Sequence, residues 1–329
     1  MKNKHDLARC FTFVVGCVAV CLSSIVPAGA KEITLRAANA FPVGTYYARN
    51  FEAFIKKVNE DGKGLVHIKY IGGPEAIPTF QLANAIKTGV VDMGNTTTSY
   101  TASIIPEGQV LNYTTLTTAE MRRNGVMDYL NKIFLAKGLY YYARTGEGTH
   151  FYIYTNKKLE NGKLAGLKIR SAPIYQKFFN KMGITGVQLA PGDVYTALEN
   201  HVVDGYAWPL IGIFDFNWQE KTKYRIEPGF YAMELGVIFN AKTWQGLTPE
   251  QRAFLEKERV WLENLALDSV KQDAPNEIER QQKAGIQVIK LDDVDARAML
   301  KTAYSAAWDS IVALSPTDGP KLRAMMEPK

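Results

Sequence analysis

Arg170 closes the run Gly166-Leu-Lys-Ile-Arg170 and is followed by Ser171 and Pro173. An apolar-alternating run that gives way to proline reads as a short strand entering a loop. In open α/β sheets, ligands gather at the carboxyl ends of strands. An arginine there offers a carboxylate a planar fork of N–H donors, where lysine offers only a point charge. Position alone leaves a surface arginine without a partner as the alternative.

Little else in the chain has the spacing of a catalytic or metal site. Beyond residue 30 there are three histidines, His67, His150 and His201, and no cysteine. No two of these histidines fall at metal-ligand spacing on a helix, and His67 alternates with apolar neighbours, so it is expected to face water. The patterns GxSxG, HExxH, GxxxxGK[ST] and GxGxxG are all missing. No metal and no cofactor is expected, and the enzymatic alternative, an exported hydrolase, would need an active site scattered in sequence.

Polar candidates stand at other strand ends. Asn39 and Phe41 follow the first expected strand, Glu75 follows the turn Gly72-Gly73-Pro74, Thr97 and Thr98 lie in Thr96–Ser99, and Glu234 precedes the run Leu235–Phe239. Such groups can meet polar ligand atoms, or simply cap helices and fill loops. Between Tyr206 and Tyr231 there are eight aromatics in 26 residues. Phe214 and Phe216 alternate as on a strand and read as packing residues. Trp208, with Tyr206 just before it, follows a turn, and lining a pocket or packing both stay open for it. Several aromatics facing a ligand would favour a carboxylate with a ring or apolar body.

The elements that must position these residues can be read from periodicity. Strands are expected at Ile33–Asn39, Leu65–Ile71 and Val90–Met93, alternating with helices over Tyr46–Val58 and about Pro78–Gly89. A second set follows, with strands at Phe151–Thr155, Gly166–Arg170 and Gly186–Leu189 and helices at Ile174–Met182 and Pro191–His201. This is an α/β fold with two units and a mostly parallel sheet in each. Thr248-Pro249-Glu250-Gln251 is a capping box with proline at the first helical position. The helix it starts meets no breaker before Pro275 and continues in polar residues to Gly285, so it is one very long helix or two meeting at a kink.

The 329 residues suit about two domains. The composition, 47% hydrophobic and 22% charged, fits a globular chain. The first thirty residues run from basic (Lys2, Lys4, Arg9) through apolar (Phe11 to about Val26) to Ala28-Gly29-Ala30. That order predicts a secretory signal cleaved after Ala30, with Cys17 as a weaker lipoprotein alternative. Cys10, Cys17 and Cys21 all lie inside it, so the exported chain would have no disulfide. Without residues 1–30 the net charge falls from +6 to +4, too even for a nucleic-acid partner.

Taken together, Gly166-Leu-Lys-Ile-Arg170, Val194-Tyr-Thr-Ala-Leu198 with Val203-Asp204-Gly205, Gly72-Gly73-Pro74, Phe80-Gln81-Leu82 and Gly89-Val-Val-Asp-Met93 resemble the DctP-like periplasmic solute-binding proteins of TRAP (tripartite ATP-independent periplasmic) transporters. The resemblance spans essentially all of the chain after residue 30. It implies a two-domain periplasmic binding protein fold with a ligand cleft between the domains and a long domain-spanning helix. Domain I would comprise 31–153 and about 237–277, and domain II 154–236 and about 278–329. It further implies Arg170 as the partner of the solute carboxylate, and delivery of an organic acid to the small and large integral membrane subunits of the transporter, without catalysis. Two departures accompany it. Trp208 stands where many relatives carry an asparagine, and His150 is the nearest substitute for a basic residue common before Phe151. A receptor that signals to a membrane sensor would use the same cleft.

Overall fold

The computed structural model describes residues 31–159 and 163–326. The expected signal segment and its three cysteines lie outside the described residues. The chain opens with β1 (Ile33–Asn39), α1 (Tyr46–Asp61), β2 (Val66–Gly72), α2 (Leu82–Thr88) and β3 (Met93–Thr96). After a 3-10 segment at Pro106–Asn112 come α3 (Thr118–Arg123), α4 (Val126–Ala136) and β4 (Leu139–Arg144). The second unit holds β5 (His150–Thr155), β6 (Lys168–Ser171), α5 (Gln176–Lys181), β7 (Thr185–Gln188), α6 (Val194–Glu199), β8 (Gly205–Pro209) and β9 (Tyr224–Ala232). The chain then returns through β10 (Gly236–Asn240) and α7 (Ala241–Gly246) to α8 (Pro249–Lys283), β11 (Gln287–Lys290), α9 (Asp293–Leu314) and α10 (Gly319–Met326).

The strands form two sheets, ordered β2-β1-β3-β10-β4 and β11-β9-β5-β8-β6-β7. Both are mixed, which corrects the mostly parallel sheet expected from alternation. The reason is topological. β4 runs out of the first sheet and β10 runs back into it, so they pair antiparallel; β5 and β9 do the same in the second sheet. The passages between sheets are 145–149 and 233–235, and they bond to each other through Thr145 N–H to Leu235 O (2.6 Å) and Met233 N–H to Thr149 O (2.9 Å). Gly146 is needed there, since a Cβ would lie 2.2 Å from Met233 Sδ and 2.4 Å from Leu235 N.

Residue 153 falls inside β5, a strand wholly of the second sheet. At the C-terminus, α10 packs on α4 and the 106–112 segment as well as on α9, with Thr114 Oγ1 donating to Met326 O and Tyr129 Oη to Asp318 Oδ1. The last helix therefore touches elements of the first unit as well as α9.

α8 is one helix of 35 residues with Pro275 inside it. Its start carries the expected capping box, Thr248 with Gln251. Near that end Tyr142 Oη donates to Leu255 O, beside the first sheet. Near the other end Gln281 donates to Leu210 O (2.8 Å) and accepts from Arg225 (2.7 Å), beside the second. The helix thus spans both units.

Two local readings change. Val90–Asp92 is a turn rather than a strand, because the Val90 and Val91 N–H groups close onto Ala85 O at the end of α2; β3 starts only at Met93. Phe214 and Phe216 sit in a 3-10 turn, Ile213–Phe216, rather than on a strand. Phe216 nevertheless packs, stacking on Trp218 at 4.8 Å. His67 does face solvent on β2.

Candidate functional site

A small cavity, about 340 Å³ of free space counting its mouth, lies between the two sheets. The first unit supplies Phe41, Tyr47, Thr97, Ser99 and Tyr100; the second supplies Phe151, Arg170, Ala172, Tyr175, Trp208 and Pro209. The crossing segment adds Met233 and Glu234. The walls meet across the cavity: Trp208 stands edge-on to Tyr47 at 5.6 Å and to Phe41 at 6.4 Å.

Arg170 reaches the cavity from β6, which pairs in parallel with β7 and β8. Its side chain is fully buried. Nε donates to Leu189 O at 2.9 Å and Nη1 weakly to Ala207 O at 3.4 Å. Nη2 has no hydrogen-bond partner, and the guanidinium carbon lies 5.3 Å from the Trp208 ring. A buried cation bonded only to neutral carbonyls is poorly compensated, and an anion is what would complete it. Two other wall residues also hold unpartnered buried polar atoms, Trp208 Nε1 and Ser99 Oγ. Both can donate to acceptor oxygens.

Glu234 brings the opposite charge to the wall, but its oxygens are already engaged. Oε2 accepts from Thr97 Oγ1 (3.0 Å), Thr98 N (2.6 Å) and Thr98 Oγ1 (2.6 Å), and Oε1 accepts from Tyr141 Oη (2.7 Å). Burial pushes its carboxyl above the usual value, and these donors pull partly back. Its observed role is to fix the loop after β3. Burial also holds the Tyr47 and Tyr175 phenols far above their usual range, so both stay neutral.

Of the residues singled out in sequence, Arg170, Trp208, Phe41, Thr97 and Glu234 come together here. Trp208 lies within β8, the strand that follows the turn at 201–204. The other five are placed elsewhere. Asn39 is buried beneath the wall, its Oδ1 accepting from Phe41 N–H and Asn95 Nδ2, and Thr98 is held behind it by Glu234 and Asn112. Glu75 is exposed and closes its own turn by accepting from Gly73 N–H. His150 begins β5 on an exposed position outside the lining. Tyr206 lies deeper on β8, stacked on Tyr154 at 5.0 Å with its hydroxyl 2.7 Å from Thr222 Oγ1.

Sequence reasoning missed Tyr47, Tyr100, Phe151 and Tyr175 as walls. Tyr47 falls on the apolar stripe of α1 and reads as core. Tyr175 stands five residues after Arg170, in the 3-10 turn Pro173–Tyr175, and its place in the loop beyond a candidate strand end was the available signal.

The family model described as bacterial extracellular solute-binding protein, family 7 (DctP) matches residues 37–313. The chain belongs to this family. Among curated relatives of this family-7 protein is a monocarboxylate 2-oxoacid-binding periplasmic protein of Nostoc sp., 22% identical over 275 residues, covering 78% of this chain and 73% of the relative. A TRAP periplasmic solute-binding protein from Desulfovibrio salexigens, solved with bound orotic acid, superposes with a TM-score of 0.80 at 22% identity, covering 89% of this chain and 97% of that one. A Bordetella pertussis extracytoplasmic solute receptor binding pyroglutamic acid gives 0.78 at 17% identity, over 89% and 99%. These solved structures share this chain's two-unit α/β fold. Among the described residues of this solute-binding protein, no helix is long and apolar enough to cross a membrane.

Proposed function

We propose that this family-7 protein captures an organic acid in the periplasm and delivers it to the small and large integral membrane subunits of a TRAP transporter. No bond is made or broken in that task. The observation that carries the reading is the Arg170 guanidinium, fully buried in a cavity between two units, bonded only to carbonyl oxygens and with Nη2 unpartnered. A solute carboxylate would supply the missing acceptor as a charge-assisted bond. Contacts from both units then exist together only when the units are closed, so the solute shifts the open and closed populations.

The solute class follows from the rest of the wall. Phe41, Tyr47, Tyr100, Phe151, Tyr175 and Trp208 surround a single cation. A second carboxylate would meet Glu234 and no further cation in the lining, so we assign a monocarboxylate with a planar, ring or branched apolar body. Orotate, pyroglutamate and monocarboxylate 2-oxoacids, bound by three of the relatives, fall in that class, while other relatives take dicarboxylates, malonate in one and C4-dicarboxylate in another. Mass spectrometry of small molecules released from protein purified out of the periplasm tests the proposal, together with the N-terminal sequence, expected to begin at Lys31. A released species without a carboxylate, or full-length protein confined to the cytoplasm, would overturn it.

A further inference from the structure

The first helix lacks a cap of its own. Its N-cap residue, Thr45, makes no side-chain capping bond, because its hydroxyl donates to Pro42 O at 2.7 Å instead. The first helical amide, that of Tyr46, donates to Asp215 Oδ2 at 2.7 Å. Asp215 belongs to the other unit, in the 3-10 turn that follows β8. The next residue of α1 makes a second bridge, as Tyr47 Oη donates to Ile211 O at 2.8 Å. Between them Gly212 permits the close approach: it has φ +100°, and a Cβ there would lie 3.1 Å from the Tyr47 ring.

We propose that Asp215 is a positioning residue for solute binding, capping α1 across the cleft and so holding Tyr47 as a wall of the closed cavity while touching no solute itself. Asp215 lines an outer recess with Arg49, Asp273, Glu277 and Arg280, and is not part of the cavity lining. A carboxylate at a helix N-terminus meets both the free amides and the positive end of the helix dipole. When the units separate, that cap is lost with nothing local to replace it, since Thr45 is turned away. A typical N-cap corresponds to a factor of about five in an equilibrium constant. The closed state is favoured by that factor whichever solute is bound.

The role of Asp215 in binding rests on the reading of the cavity as the solute site, and the test separates the two. Asp215→Ala and Asp215→Asn are compared with the parent protein in two measurements. The first is amide hydrogen exchange in the first turn of α1; the second is the dissociation rate of orotate, pyroglutamate and 2-oxoisovalerate by stopped flow. Asp215→Ala should speed exchange and raise the dissociation rate of every probe that binds by the same factor, about fivefold. Asp215→Asn, which keeps an acceptor oxygen, should stay within about twofold of the parent. Unchanged exchange in Asp215→Ala, or an asparagine variant that behaves like alanine, overturns the cap. Faster exchange with unchanged dissociation reduces it to a local structural bond, and factors that differ between probes show that Asp215 contacts solute. If no probe binds the parent, the solute class or the cavity reading fails, and the exchange result alone decides whether Asp215 caps α1.

Discussion

Replacing Arg170 separates its contribution to solute binding from its cost to the ligand-free fold. Its guanidinium is fully buried, makes one good and one long bond to carbonyls, and leaves Nη2 without a partner. Removing one side of a buried charge pair costs about 2 to 5 kcal/mol, or roughly 30-fold to several thousand-fold in affinity. Arg170→Ala should therefore lose most binding of any carboxylate. Arg170→Lys should recover only part, because the ammonium cannot hold Leu189 O and a solute with one planar fork. Arg170→Met preserves much of the volume and removes the buried charge. It forgoes one good charge-assisted hydrogen bond worth about 1.5 to 3 kcal/mol and a long one worth less, and in exchange relieves a desolvation penalty of several kcal/mol per ion. The ligand-free melting temperature of Arg170→Met should equal or exceed that of the parent, while solute no longer raises it. Calorimetry and thermal melts on the same samples decide the matter. A folded methionine variant with parental affinity would refute the carboxylate assignment, and a large loss of ligand-free stability would show Arg170 to be a structural residue.

Three further predictions follow from the same geometry. Glu234→Ala should destabilise the fold by about 1 to 3 kcal/mol or more by stranding Thr98 N–H, whereas Glu234→Gln should fold well, since its oxygen can serve the threonines while Tyr141 turns to accept from the amide. Because burial raises the Glu234 carboxyl above 4.5, its protonated form favours the fold; the parent should lose stability relative to Glu234→Gln as pH rises from about 4.5 through the raised value, then run level, and a difference independent of pH in thermal melts would contradict this. Asp204 accepts from Lys168 N–H (2.9 Å) and pairs with Lys157 (2.5 Å) at the start of β6; burial opposes ionisation but these partners outweigh it and lower its carboxyl below 3.8, so its contribution holds above that value and fades as pH falls through the lowered one, and Asp204→Asn should flatten the acid limb of the melting curve. Trp208→Asn should weaken ring and branched monocarboxylates more than acetate in thermal-shift titrations, and equal losses would make Trp208 a packing residue alone.

The local elements were legible because they depend on neighbours in sequence. The stripe Tyr47, Phe51, Phe54, Ile55 and Val58 gives α1, and all five are buried; the Thr248 and Gln251 pair gives the start of α8 to the residue. Arg170 was legible because a strand end is a local feature with a general consequence for ligands. What escaped depends on contacts between distant segments. β10 pairs antiparallel because the chain has crossed between sheets, and nothing within Gly236–Asn240 records the direction of its partners. Asn39 and Thr98 were chosen for polarity at strand ends, yet Asn39 Oδ1 and the Thr98 hydroxyl are spent on internal bonds beneath the wall, and only packing decides which strand-end group reaches the cavity.

The aromatic cluster shows where that division lies. From sequence, the residues between Tyr206 and Tyr231 form one group, and β8 places Tyr206 and Trp208 on the same face of one strand. The structure gives them different work through Trp218, which packs on both, at 4.7 Å and 4.9 Å. Tyr206 is enclosed by Trp218, Tyr154 and Thr222 with its hydroxyl satisfied. Trp208, one strand repeat further toward the carboxyl end, outruns that enclosure and leaves its ring between Arg170 and Tyr47 with Nε1 unpartnered. A shift of two residues along one strand thus separates a core aromatic from a cavity wall. Chemical type is the same at both positions, so only the depth of the strand in the second unit, set by where Trp218 and α1 close over it, makes Trp208 available to a solute.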